Sequence, residues 1–191
     1  MKCQGELSIV GACGGYSKTP AKHAPAVGNS VLNSPINNLG SGSMKTTIRP
    51  SEFSDLDAIL SLYPHLFTTD DKSPPLAELE ETWKKFIQNP AMTCLLAECD
   101  GKALGTCSLI IVPNLTRGGR SYALVENVVV HTEYQKKGIG RQLIESAIAI
   151  AKESNCYKIM LLSGKDNKNH AFYEKLGFDR NRKVGFELNM R

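Results

Sequence analysis

One run constrains the fold more than any other: "RSYALVENVVVHTEYQKKGIGRQLIESAIAIAKE", Arg120 to Glu153. Its first part ends almost wholly apolar, the pattern of a strand covered on both faces. Its last part sets Ile139, Leu143, Ile144, Ala147, Ile148 and Ala151 on one stripe, with Arg141, Gln142, Glu145, Lys152 and Glu153 opposite, as an amphipathic helix requires. Between them lies "QKKGIGR", Gln135–Arg141, with two lysines before a Gly-x-Gly turn. A buried strand, a basic glycine loop and a helix in direct succession demand a layered α/β arrangement.

Such a loop presents its backbone N–H groups at a helix N-terminus, where they lack intrahelical partners and the helix dipole is positive. Gly138 and Gly140 carry no Cβ, so a ligand can approach the backbone closely. Lys136, Lys137 and Arg141 add charge, and the whole suits an anion the size of a pyrophosphate. Gly-x-Gly alone is explained equally well by an ordinary strand-to-helix turn. A P-loop is excluded because no Gly-Lys-Ser/Thr follows at the required spacing. A dinucleotide fingerprint is excluded because Leu143 stands where the third glycine belongs.

The flanking sequence supplies the remaining elements. "KTTIRP" reads as a first strand, and "SEFSDLDAILSLY" as a helix capped by Ser51 or Ser54, with Phe53, Leu56, Ile59, Leu60 and Tyr63 at helical spacing. "LAELEETWKKFIQN" is a second helix with Leu76, Leu79, Trp83, Phe86 and Ile87 on one face. Strands over 92–98 and 102–112 are joined by Asp100-Gly101, a strong hairpin signal. After the long helix, "CYKIMLL" is a buried strand, "NKNHAFYEKLG" a short helix ended by Gly177, and "VGFELNM" a closing strand. The order β-αα-βββ-α-β-α-β predicts an α/β mixed sheet with helices on its faces.

Residues 1–43 differ in kind. They are rich in Gly, Ser, Asn, Ala and Pro, end in "NNLGSGS", and hold no lasting periodicity, as expected of a flexible leader. Glu6 and the short apolar run Leu7–Cys13 argue against a signal peptide. Met44 reads as the start of the folded domain, 44–191, whether the leader is native or added. The leader holds Lys2, Lys18, Lys22 and Glu6, so its removal leaves 20 basic and 18 acidic side chains in a nearly neutral domain. That balance, and the lack of a basic stripe interleaved with aromatics, gives no footing for nucleic acid. No apolar run approaches the ~20 residues that span a bilayer. The six cysteines form no Cys-x-x-Cys pair and no zinc spacing, which points to reduced thiols, a cytoplasmic location and no metal.

"VVVHTEYQKKGIGRQLI", followed by "NKNHAFYEKLGF", resembles the GNAT superfamily of acetyl-coenzyme A-dependent N-acetyltransferases. Gln135–Gly140 matches its Gln/Arg-x-x-Gly-x-Gly/Ala loop. Asn169, Phe172, Tyr173, Glu174, Lys175, Gly177 and Phe178 match its downstream motif. The likeness covers residues 45–190, and within the superfamily it is greatest to the glucosamine-6-phosphate N-acetyltransferases. Two departures stand out: Asn127 where that group usually has Asp, and a longer "SGKDNKN" before "NHAFY".

The resemblance implies a mostly antiparallel sheet with a splayed parallel strand pair, acetyl-coenzyme A as cosubstrate, and a homodimer. It implies coenzyme contacts from Val128, Val129, Val130, Gln135, Lys136, Lys137, Gly138, Ile139, Gly140, Arg141, Asn169, Phe172, Tyr173 and Lys175. It implies Tyr173 as the acid that protonates the departing thiolate, and the chemistry agrees: a phenol of pKa about 10 faces a thiol of about 8.5. Glu126, flanked by Val125 and Val128, is the candidate base, ahead of His170 and His131. Arg117, Arg120, Lys165 and Asp166 are weaker candidates for the acceptor. The expected acceptor is a primary amine on a small molecule, an amino-sugar phosphate first, with a protein or peptide N-acetyltransferase or a non-catalytic acyl-coenzyme A sensor as alternatives.

Overall fold

The computed structural model describes residues 45–66, 74–165, 169–188 and 190. The leader, Met44, Asp166 and most of the loop before Pro75 lie outside the described residues. In chain order the elements are β1 (Thr47–Pro50), α1 (Leu56–Leu62), α2 (Leu76–Gln88), β2 (Met92–Cys99), β3 (Lys102–Val112), β4 (Tyr122–Val130), α3 (Ile139–Glu153), β5 (Ile159–Leu161) and α4 (His170–Lys175). The strands form one sheet in the order β1-β2-β3-β4-β5. Pairing is antiparallel from β1 to β4 and parallel between β4 and β5. The expected mixed, mostly antiparallel sheet is what the chain builds.

Local chemistry explains most of these elements. Asp100 and Gly101 take φ of 50° and 75°, both left-handed, so two residues suffice to bring Cys99 opposite Lys102. Gly177 takes φ of 91°, and the Phe178 N–H donates to the Tyr173 carbonyl at 3.1 Å, closing α4 as a glycine stop. Both sheet faces are covered. On one, Ile59 and Leu62 of α1 and Trp83 of α2 pack with Cys94, Leu96 and Val129. On the other, Ile139, Leu143, Ile144, Ala147, Ile150 and Ala151 of α3 pack with Leu95, Leu104, Cys107, Leu109 and Val125, joined at the margin by Phe172, Tyr173 and Leu176 of α4.

Four expectations need correction. Neither Ser51 nor Ser54 caps the first helix. The chain enters it through a tight turn, Phe53–Asp55, whose cap is Glu52; the Glu52 N–H donates to the Asp55 carboxylate at 2.7 Å. Arg49 donates to both oxygens of Asp55, at 2.6 and 2.9 Å, and to Glu98 at 2.9 Å, tying β1 to that turn and to β2. The turn resets the helical phase, so Phe53 is exposed and Leu62 is buried instead. On α2, Leu76 sits in the exposed first turn while Trp83 anchors the helix, donating to the Phe53 carbonyl at 3.0 Å. On α3 the expected stripe packs on the core, Ile148 from a half-buried position, and Ile150 joins it fully buried. Finally, "VGFELNM" forms no strand among the described residues; Val184, Phe186 and Leu188 are 78, 93 and 82% exposed. Alternation makes a strand only where an edge receives it, and β5 offers just three residues.

Candidate active site

The site is organised by a break in β4. Ser108 of β3 lies opposite Glu126, and Thr106 lies opposite Val129, so β4 carries one extra residue between those pairs. That bulge is centred on Asn127, whose φ of 53° is left-handed, a conformation asparagine tolerates better than most residues. The bulge reverses the alternation of the strand. Before it, Ala123 and Val125 face α3; after it, Val128 and Val130 pack on that side, while Val129 turns to the α1/α2 side. Gly105 makes room for the bend: a Cβ there would lie 2.7 Å from the Val129 carbonyl oxygen.

The same point marks the end of the parallel pair. β5 accompanies β4 only as far as Val125 opposite Leu161. Beyond it, Glu126–Val130 keeps β3 on one side and has no described strand on the other. Backbone groups on that open edge need a partner, and an extended ligand arm with its own amides supplies one. The Ser163 hydroxyl, just past β5, is buried without a hydrogen-bond partner among the described residues.

The loop follows directly. Lys136 and Gly138 take φ of 60° and 85°. Among the described residues, no backbone N–H from Lys136 to Arg141 donates to another backbone group. The Gln135 side chain donates to the Val130 carbonyl at 3.2 Å and fixes the loop to the strand end. A Cβ on Gly138 would meet nothing within 4 Å, so the space over the loop is open. Gly140 lies under α4: a Cβ there would be 3.5 Å from Phe172 and 3.6 Å from Val130. Lys102 and Lys137 each hold their ammonium 4.9 Å from the Tyr134 ring, and Lys102 also donates to the Tyr134 hydroxyl at 3.0 Å. Lys102 comes from the hairpin and carried no motif, so sequence reasoning missed it. Arg141 pairs with Glu145 at 2.8 Å on the helix surface.

The two candidate proton-transfer groups sit in different environments. Glu126 is half-buried at the bulge, and desolvation raises its pKa above the ordinary carboxylate value. Tyr173 is half-buried on α4, its ring edge-on to Phe172 at 5.0 Å and to Phe178 at 6.1 Å. Burial raises its pKa above 10, so it remains a proton donor throughout the neutral range. Asn169 opens α4, its carbonyl accepting from the Phe172 and Tyr173 N–H groups at 2.9 and 3.4 Å. Lys175 is exposed at the last turn of α4.

The remaining candidates fall elsewhere. His131 Nδ1 accepts from the Glu133 N–H at 3.3 Å and its ring lies 4.3 Å from His65, capping the turn after β4. Arg120 donates to the carbonyls of Asn155 and Cys156 at 3.2 and 3.0 Å, a tie between the β3–β4 loop and the turn that leaves α3. Arg117 lies in the turn after β3, apart from the bulge in sequence and sheet.

An open strand edge, a loop of unpartnered N–H groups and a half-buried phenol together fit acetyl-coenzyme A: the edge suits its amide-bearing arm and the loop its pyrophosphate. Comparison with known proteins agrees. The acetyltransferase (GNAT) family model matches residues 56–178. A protein of Trypanosoma brucei brucei named glucosamine 6-phosphate N-acetyltransferase is 37% identical over 134 residues, 69% of this chain and 87% of that protein. N-alpha-acetyltransferase 30 of Xenopus laevis is 30% identical over 106 residues, 54% of this chain and 37% of that protein. The crystal structure of a Trypanosoma brucei acetyltransferase superposes with a TM-score of 0.67 at 32% identity, covering 76% of this chain and 99% of that one. The chain belongs to the GNAT family and is an N-acetyltransferase that depends on acetyl-coenzyme A.

Proposed function

We propose that the chain transfers the acetyl group of acetyl-coenzyme A to a primary amine on a small molecule, an amino-sugar phosphate in the first instance. The observation that carries this reading is the open edge of β4 beyond Val125, with the glycine loop at its end and Glu126 at its beginning. The likeness to the trypanosomal glucosamine 6-phosphate enzyme supports the choice of acceptor.

Bound acetyl-coenzyme A supplies an acyl thioester. The N–H groups of Lys136–Arg141 hold its pyrophosphate, with Lys136 and Lys137 adding charge. The outward amides of Val128–Val130 hold its arm and orient the thioester. Ile139, Phe172, Asn169 and Lys175 complete the coenzyme's surroundings. Glu126 accepts a proton from the acceptor's ammonium, directly or through water, because only the neutral amine attacks. A β4 N–H near Val128 faces the carbonyl oxygen as it gains charge. As the nitrogen–carbon bond forms and the carbon–sulfur bond breaks, Tyr173 donates its hydroxyl proton to the departing sulfur, and its phenolate recovers a proton from the newly acylated nitrogen, directly or through water.

The nearly neutral domain and its reduced thiols support a cytoplasmic protein that binds neither nucleic acid nor membrane. The described cysteines Cys94, Cys99, Cys107 and Cys156 are unpaired. No described helix is long and apolar enough to cross a membrane, and no described cluster has metal-ligand composition. Residues 44–191 form the catalytic domain and 1–43 a leader. A homodimer would cover the alternating exposed side chains Val184, Phe186 and Leu188.

Release of free coenzyme A against a panel of amines tests the reading. Turnover with glucosamine 6-phosphate well above that with simple amines and peptides is expected. Preference for a peptide N-terminus moves the acceptor to a protein, and tight acetyl-coenzyme A binding with no turnover on any amine would make the chain a sensor.

A further inference from the structure

The histidine of "NHAFY" has a different task from the proton transfer its position first suggests. His170 Nε2 lies 2.8 Å from the Gly164 carbonyl oxygen. A carbonyl only accepts, so Nε2 donates and carries the proton, whether the ring is neutral or charged. The nitrogen that faces the end of β5 is therefore unable to take a proton from an amine.

We infer that His170 is a positioning residue: it straps the start of α4 to the chain leaving β5, and so sets where Tyr173 stands relative to the open edge of β4. This inference rests on the reading of Tyr173 as the acid. α4 has six residues, far too few to be stable alone. Its far end is fixed by the glycine stop at Gly177 and by the Arg180–Glu174 ion pair at 3.0 Å. Its inner side is held by Phe172, Tyr173 and Leu176 against the α3 layer. Apolar contact of this kind resists separation but leaves sliding along the sheet cheap, because it is not directional. The His170–Gly164 bond is directional and acts at the near end. His170 and Tyr173 are three residues apart, one helical turn, so a shift at the strap passes directly to the phenol. Gly164 lies three residues beyond Leu161, the last residue paired to β4, so the strap acts on the chain just past the point where the parallel pairing ends.

The test compares His170→Leu, which cannot donate, with His170→Gln, which keeps an amide N–H for the Gly164 carbonyl. Displacement of a reacting group by about 1 Å costs on the order of 10²-fold. His170→Leu should therefore lose about 10- to 100-fold in kcat, with the KM for acetyl-coenzyme A within about threefold. His170→Gln should recover most of that loss and keep the wild-type pH profile. Full turnover in His170→Leu overturns the inference. So does an equal loss in both variants with the acid limb of the profile gone, which makes His170 a base. In the unmutated chain, NMR of the imidazole should show the proton on Nε2, and an Nδ1–H tautomer overturns the strap without any variant having to fold. Tyr173→Phe measured alongside separates the two ideas. If it turns over normally, the acid reading is what has failed; if it is impaired while His170→Leu is not, only the strap has failed.

Discussion

β4 is two strands in one. From Ala123 to Val125 it is paired on both sides, with β3 antiparallel and β5 parallel. From Glu126 to Val130 it keeps β3 alone among the described residues. The first half shows what the sheet does when it only has to be stable: Ala123, Leu124 and Val125 each have a strand partner on either side, and Ala123 and Val125 are buried. The second half leaves one edge open beside a loop whose N–H groups reach no other backbone group among the described residues. The hydrogen bonds it forgoes internally are those that the proposed function gives to the coenzyme, which would put binding where the fold is least complete.

Substitutions can break that contrast, and the largest effect belongs to Tyr173 as the proposed acid. Tyr173→Phe keeps the ring between Phe172 and Phe178 and removes only the hydroxyl. Turnover should fall about 10²- to 10⁴-fold with acetyl-coenzyme A affinity nearly unchanged. Single-turnover kinetics checks that the loss lies in chemistry rather than product release.

Next comes the loop. Replacing Gly138 and Gly140 together with valine forces a side chain onto the left-handed Gly138 and fills the space above the N–H groups. Acetyl-coenzyme A at about 100 times its Kd stabilises a folded protein by about 2.7 kcal/mol, and the double variant should lose most of the corresponding rise in Tm. A rise that survives intact removes the loop from the binding site.

A pair of alanines compares structure with function inside the same few ångströms. Gly105→Ala drives a Cβ to 2.7 Å from the Val129 carbonyl, where backbone has to move, and should cost about 1–3 kcal/mol by thermal melting. Gly140→Ala makes only ordinary contacts, at 3.5 Å and beyond, and should leave stability within about 0.5 kcal/mol. If the two cost the same, the bulge is not what Gly105 accommodates.

The smallest effect is the pH dependence of Glu126. Desolvation raises its folded pKa above the unfolded value. Its protonated form therefore favours folding; that increment is full below about pH 4.3, is lost as pH rises through the folded value, and leaves the charged carboxylate unfavourable at neutral pH. Glu126→Gln should raise Tm slightly at pH 7 and not at pH 4. As the base, Glu126 should also place the acid limb of kcat/KM above the ordinary carboxylate range, and the glutamine variant should lose that limb. Tyr173, raised above 10, should leave the profile flat through neutral pH.

What the sequence made legible is what depends on local chemistry. Asp100-Gly101 specified its hairpin because both positions need left-handed backbone. The α3 stripe and Gly177 were readable for the same kind of reason. The bulge was not, because Asn127 in a valine-rich run carries no periodic signal; only its tolerance of positive φ hinted at it. Gly105 was missed because its reason is a contact with a strand more than twenty residues away. The closing strand failed because alternation describes a face and not the edge that would receive it. At the candidate site, the motifs pointed to Tyr173 and the loop, whereas the Gly164 partner of His170 and the approach of Lys102 to Tyr134 are tertiary facts.

Amide hydrogen exchange with and without acetyl-coenzyme A tests the central claim most directly, because it reads the two halves of β4 separately. The backbone amides of Leu124 and Val125 should exchange at the same slow rate in both states. Protection on adding the ligand should appear at the outward amides between Glu126 and Val130 and across Lys136–Arg141. Protection there and not in the first half is the predicted result. Unchanged exchange along Glu126–Arg141, with acetyl-coenzyme A shown to be bound, would contradict the assignment of the open edge and its loop as the coenzyme site.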